Sequence, residues 1–193
     1  MVAFSVLEIS GAIRGGDYKK LGKNASERKY FYNTVVILGK SLVCTFITPL
    51  IIILFFGNAP AVAYGMIYFF FNELDEGWGE KILNILVIIP SIIGYGLLYF
   101  VYICRNKTFK INFKGEFFQN IFFMPLLNIY ILGAYIESVN FYFIENCEVV
   151  HYLRSYGDYQ GKVDEVAIRD FISIIYGVAG ATFIIFIILI NLK

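Results

Sequence analysis

Recognisable catalytic devices are what this sequence lacks. It has no nucleophile elbow, phosphate-cradling glycine loop, HExxH or CxxC. The expectation is a chain that is not an enzyme and carries no cofactor. Histidine occurs once and cysteine three times. Glu148 and His151 have the i, i+3 spacing of carboxylate-bridged metal sites, but such a site needs two of these motifs plus further carboxylates. Only an oligomer could assemble one, so the reading is a solvated face and no metal. Cys44, Cys104 and Cys147 fall in three different segments, and only Cys147 is expected to meet an oxidising compartment. No intrachain disulfide follows. Cys147 is read as a free thiol, with a bridge between two copies as the alternative.

A basic start before the first apolar stretch is also missing: MVAFSVLEISGAI carries Glu8 instead. A cleavable signal peptide is therefore not expected, and the first long apolar run is read as the insertion signal. Charge is scarce where the chain is most apolar. Only 16% of residues are charged against 59% hydrophobic, and mean hydropathy is +0.68. That scarcity argues against an ion-coupled carrier, which needs ionisable groups within the membrane.

What is present is a set of four apolar runs near the roughly 20 residues that a helix needs to cross a bilayer. They are Val35–Phe56, Ile82–Cys104, Phe117–Ile136 and Phe171–Leu192. The segments between them sort by charge. Segment 1–34 is basic (Arg14, Lys19, Lys20, Lys23, Arg28, Lys29), and so is loop 105–116 (Arg105, Lys107, Lys110, Lys114). Connectors 57–81 and 137–170 are net acidic. Lys and Arg are retained on the cytoplasmic side during insertion. Four passes with both termini inside satisfy all five segments, and an odd number of spans would spoil the agreement. The expected fold is thus a single all-α domain of four transmembrane helices, in the inner membrane of a bacterium. Asn24-Ala-Ser26 and Asn106-Lys107-Thr108 match the glycosylation pattern but fall on the inner side, so neither is read as a site.

Within the runs, Lys40 is the one embedded charge. It lies about one turn inside the inner boundary and is read as snorkelling to the headgroups, with a pore or ion-pair role as the alternative. Glu137 is rejected as its partner, because antiparallel spans put the two at opposite boundaries. Pro90, Ser91, Gly94 and Gly96 make the second run the best candidate for a kink or hinge. Gly177 and Ala181 form a small-xxx-small face suited to helix contact. Asn128 lies near mid-membrane and should find a partner, since an unpaired amide in hydrocarbon is costly.

Outside the runs, 61–71 is read as a short helix after Asn58 and Pro60, interfacial or re-entrant. Val139, Phe143, Val150 and Leu153 suggest a helix continuing from the third run. After the turn chemistry of 155–162, VDEVAIRD leads helically into the fourth. The expectation is an outer helical hairpin. On the inner side, 108–114 alternates Phe109, Ile111 and Phe113 with Lys110, Asn112 and Lys114, the period of a half-buried strand. It could pair with 3–9 as a small cytoplasmic β element whose edge accepts a partner strand. The basic residues Lys19, Lys20, Lys23, Arg105, Lys107, Lys110 and Lys114 are the candidate surface for anionic lipid and for a soluble partner.

Over its whole length, the chain resembles the membrane subunit of the Kiwa anti-phage defence system in size, four-span topology and Ile-, Phe-, Tyr-, Asn- and Lys-rich composition. That resemblance implies an inner-membrane sensor or anchor that self-assembles, taken as a tetramer, and holds a soluble partner on its cytoplasmic face without binding nucleic acid directly. Colicin immunity proteins have a similar architecture and would imply interception of a toxin by helix contacts in lipid. A small oligomeric channel using Lys40, Asn128 and Pro90 is the third reading.

Overall fold

The computed structural model describes residues 26–73, 77–147, 150–157, 163 and 165–193. The first expected span is a long helix. It begins as α1 (Ser26–Lys40), passes through a π-helical stretch at Ser41–Ile47 and continues as α2 (Thr48–Phe56). The π stretch has a local cause. The Thr48 N–H donates to the Val43 carbonyl, five residues back, and the Thr48 hydroxyl donates to the same oxygen at 2.8 Å. In that register the Cys44 carbonyl would take the N–H of residue 49, which is proline and has none. Tyr64 supplies the missing donor, its hydroxyl reaching the Cys44 carbonyl at 2.9 Å. Tyr64 lies on α3 (Asn58–Glu73), which follows a turn at Gly57 with φ +91° and folds back against α2. The 61–71 segment is therefore helical, as expected, and is packed on the first helix.

The second expected span is divided. α4 (Gly77–Leu86) and α5 (Ile88–Asn106) meet at Val87. Pro90 cannot donate to the Leu86 carbonyl and its ring crowds that oxygen, so the break falls where the proline predicts it. Gly94 is buried, with a β-carbon placed 3.1–3.2 Å from Val43, Ile129 and Ile47. It is a point of close helix packing.

The third expected span does not form one helix. α6 (Phe117–Phe123) and α7 (Leu127–Ile136) are separated at Met124–Leu126 around Pro125. Seven and ten residues make about 10 and 15 Å of helix, neither long enough to cross about 30 Å of hydrocarbon. The last span is α8 (Glu165–Asn191), with Glu165 in its first turn as the sequence suggested. Among the described residues three helices are long and apolar enough to cross a membrane: Phe31–Phe56, Ile88–Asn106 and Glu165–Asn191.

The outer helical hairpin is also corrected. β1 (Phe141–Cys147) and β2 (Val150–Tyr156) form an antiparallel two-stranded ribbon, Phe141 opposite Tyr156 and Cys147 opposite Val150. The run FYFIENC opens on three aromatics and a β-branched isoleucine, residue types that favour a strand. Residues 108–114 form no strand: 108–113 belong to no regular element and Lys114 lies in a turn. The proposed pairing partner, 3–9, lies outside the described residues.

Helix directions follow from side-chain contacts. The rings of Phe31 and Phe171 sit 6.4 Å apart near the starts of the first and last long helices. At the other end the Lys193 ammonium donates to the Leu54 carbonyl at 3.0 Å. These two helices therefore run parallel, whereas four alternating spans would make them antiparallel. The core is built around α7, every residue of which but the partly buried Tyr130 is buried, against α1, α5 and Phe171.

Candidate functional site

One end of the bundle gathers the ends of three helices. Arg105, at the end of α5, donates to Glu137 at 2.9 Å and to Asp170 at 3.2 Å. Glu137 closes α7 and its side chain is 3% exposed; Asp170 lies in the first turns of α8. The sequence reading placed Arg105 and Glu137 on opposite faces of the membrane. The ion pair puts them at one end of the bundle, because α7 ends where α5 ends. Neighbouring polar groups repeat the tie. Asn106 Nδ2 donates to the Tyr135 and Ile136 carbonyls, both at 3.3 Å, and Ser138 Oγ donates to Asn106 Oδ1 at 3.1 Å. Those carbonyls belong to the last turn of α7; the Tyr135 carbonyl also accepts the Ser138 N–H at 2.9 Å.

From this end, 107–116 doubles back along α5. Lys107 takes the left-handed conformation, φ +52°, and reverses the chain. Tyr95, Tyr99 and Tyr102 then form a stacked ladder on α5, with ring centroids 5.8 and 6.3 Å apart. Tyr99 donates to the Phe109 carbonyl at 3.0 Å and Tyr102 to the Lys110 carbonyl at 2.8 Å. Tyr135, on α7, donates to the Asn112 carbonyl at 2.9 Å. Three phenols thus hold a segment that belongs to no helix or strand. Lys114 (φ +51°) and Gly115 (φ +79°) turn the chain into α6. The ribbon locks the far side, with the Tyr156 hydroxyl donating to Glu116 Oε2 at 2.6 Å and the Lys114 ammonium 5.8 Å from the Tyr156 ring centre.

These elements enclose a groove of about 800 Å³, lined by Thr108, Phe109, Lys110, Ile111 and Asn112 on one side and by Tyr135 and Gly157 on the other. Lys107, Lys110 and Lys114 are exposed beside it, and so is Phe109. Of the basic residues singled out in the sequence, Arg105 is engaged by two carboxylates. Lys107, Lys110 and Lys114 are brought together on the 107–116 segment. Lys19, Lys20 and Lys23 lie outside the described residues, as does the loop around Glu148.

The other candidates fall elsewhere. Lys40 is half-buried at the start of the π stretch, about 13 Å along the helix from Phe31. Pro90 and Gly94 serve the kink and the packing already described. Gly177 and Ala181 are exposed, and a β-carbon on Gly177 would meet nothing within 4 Å. Asn128 finds the partner it was expected to need: Asn120 Nδ2 donates to its Oδ1, and its own Nδ2 donates to the Phe117 carbonyl, both at 2.9 Å. Among the described residues no group of three metal-ligating side chains is gathered. The tyrosine ladder went unread in the sequence, although Tyr95, Tyr99 and Tyr102 share one helical face at i, i+4 and i+7. No family model, curated protein or solved structure matches the chain.

Proposed function

We propose that this chain is a three-pass, non-enzymatic membrane anchor or sensor subunit, self-associating in a bacterial inner membrane, that presents the 107–116 groove to a soluble cytoplasmic partner. The observation that carries this reading is the distribution of Lys and Arg once helix directions are followed. Segments 1–34, 105–116 and 137–170 all join the Arg105 end of the bundle. They contain thirteen of the sixteen Lys and Arg; only Lys81 and Lys193 join the other end, and Lys40 lies within a helix. Insertion responds to Lys and Arg, with Asp and Glu contributing little. Three passes therefore obey the charge rule, and the acidity of 137–170 is no obstacle to its lying inside. The reading places Arg105, the groove and the β-ribbon in the cytoplasm and residue 193 outside. The anti-phage setting rests on the resemblance to the Kiwa membrane subunit.

Self-association is supported by the outward Gly177–Ala181 face of α8, which the chain itself leaves uncovered. The channel reading is weakened, because the Asn120–Asn128 pair satisfies itself between α6 and α7. The test is affinity purification of the tagged chain in mild detergent from its native host, with native mass measured. A stoichiometric soluble partner on a homo-oligomer, lost when Lys107, Lys110 and Lys114 are reversed to Glu, is the expected result. A partner retained after the reversals, or a bare chain, contradicts the reading.

A further inference from the structure

The groove lies beside a membrane helix, not beyond its end. α5 is one of the three helices long and apolar enough to cross, and it closes at Asn106. Tyr102 and Tyr99 stand about 6 and 10 Å back along it from Asn106. Their hydroxyls hold the Lys110 and Phe109 carbonyls. One turn further back, the Tyr95 ring lies 6.0 Å from that of Phe113. After Asn106 the chain therefore returns along the helix instead of leaving it. Arg105, Glu137 and Asp170 mark the charged limit of the bundle, and the apolar run of α8 begins at Phe171, the next residue. Segment 109–113 thus sits on the bilayer side of that limit. Tyrosine is the residue type enriched where hydrocarbon gives way to headgroups.

We infer that this groove binds one anionic glycerophospholipid of the adjoining leaflet, its phosphate beside Lys107 and Lys110 and its acyl chains leaving past Phe109. Charge complementarity selects an anion. Lys110 lines the groove and Lys107 flanks it, both exposed, and among the described residues neither makes an ion pair. Lys114 adds a third charge beside Tyr156, whose hydroxyl holds Glu116, the one acid of 107–116. Apolar exposure selects a lipid among anions. Phe109 lines the same groove and is 72% exposed. A soluble anion would satisfy the lysines and leave that ring in water, whereas a phospholipid meets both. The groove's 800 Å³ falls within the roughly 300–1,000 Å³ of small-molecule sites. The inference deepens the functional reading and rests on its placement of this end of the bundle. Lipid and soluble partner would compete for the same lysines.

The experiment is native mass spectrometry of the delipidated full-length chain in detergent, titrated with phosphatidylglycerol or with phosphatidylethanolamine of the same acyl chains. Saturable retention of one phosphatidylglycerol per chain is expected, at least tenfold tighter than phosphatidylethanolamine. Free glycerol 1-phosphate in large excess should not displace it, because it lacks the acyl chains. These two comparisons leave the protein unaltered, so they decide even where a variant fails to fold. Lys107→Glu with Lys110→Glu should weaken retention at least tenfold, and Lys81→Glu, at the other end of the bundle, should not. Thr108→Trp adds bulk to the groove without changing charge and should also weaken it at least tenfold. Equal retention of the two lipids, or an equal loss from Lys81→Glu, overturns the inference. Displacement by glycerol 1-phosphate assigns the lysines to a soluble anion and overturns it too. So does retention that survives Thr108→Trp but not the reversals, which would put the lipid on the open surface. Lipid retention is read without the partner. If it fails while the native partner is still lost on lysine reversal, the functional reading survives. If lipid is retained and the partner ignores the reversals, the functional reading fails and the lipid site stands.

Discussion

Arg105 and Glu137 stand 32 positions apart in the chain and share an ion pair of 2.9 Å. The pair welds the end of α5 to the end of α7, and Asp170 extends it to α8. Glu137 is almost fully covered, and the Arg105 guanidinium stands at its Oε2.

Removing one partner of a covered pair leaves a charge poorly compensated, at a cost of about 3 kcal/mol or more for a fully buried pair. The guanidinium here is 37% exposed, which admits water and reduces the penalty. Arg105→Ala should destabilise the detergent-solubilised chain by about 1–3 kcal/mol. Arg105→Ala with Glu137→Ala should cost less than the two single changes summed. Thermal unfolding in detergent measures this, and strict additivity would mean the contact carries no coupling.

Tyr64 and Pro49 should also be coupled. The proline leaves the Cys44 carbonyl without a donor and the Tyr64 hydroxyl replaces it. Tyr64→Phe should cost about 1 kcal/mol. In a Pro49→Ala background, where residue 49 regains its N–H, the same change should cost measurably less. An undiminished cost would place the value of Tyr64 in its packing.

Two glycines singled out in the sequence should behave differently. A β-carbon on Gly94 meets three side chains at 3.1–3.2 Å, and on Gly177 meets none. Gly94→Leu should therefore cost about 1–3 kcal/mol by overpacking. Gly177→Leu should leave the monomer's stability nearly unchanged while reducing the oligomer fraction seen by native mass. A stable Gly94→Leu protein would refute the close approach of α5 to the first helix and α7.

The Asn120–Asn128 pair predicts a third contrast. Asn128→Leu strands the Asn120 amide and the Phe117 carbonyl, costing about 1–3 kcal/mol. Adding Asn120→Leu should recover part of that loss, because both amides are then gone. No recovery would mean that each amide has a separate partner.

Much of the bundle was legible because hydropathy reports length. Val35–Phe56 falls within the helix Phe31–Phe56, and all of Phe171–Leu192 but its last residue within Glu165–Asn191. Pro90 marked its own break at Val87. Phe117–Ile136 misled, because its average apolarity matches a span while Pro125 divides it into two pieces too short to cross. On the proposed three-pass reading, the side assigned to Glu137 and to 137–170 changes with that crossing, and α8 runs parallel to the first long helix. Net charge favoured the four-pass reading, since seven acids in 137–170 outweigh Arg154, Lys162 and Arg169. The groove was only partly visible. The alternation of 108–114 suggested a strand that does not form; its lysines signalled a basic face, and what holds the segment is a set of tyrosines elsewhere in the chain.

The number of crossings is the central claim, and the side on which residue 193 lies decides it most directly. Fusing a dual reporter after Lys193, alkaline phosphatase paired with a fluorescent protein that matures only in the cytoplasm, reads that side in intact cells. A three-pass chain with its Arg105 end inside predicts high phosphatase activity and no fluorescence. A fluorescent, phosphatase-inactive fusion would put both termini inside, restore a fourth crossing and contradict the account.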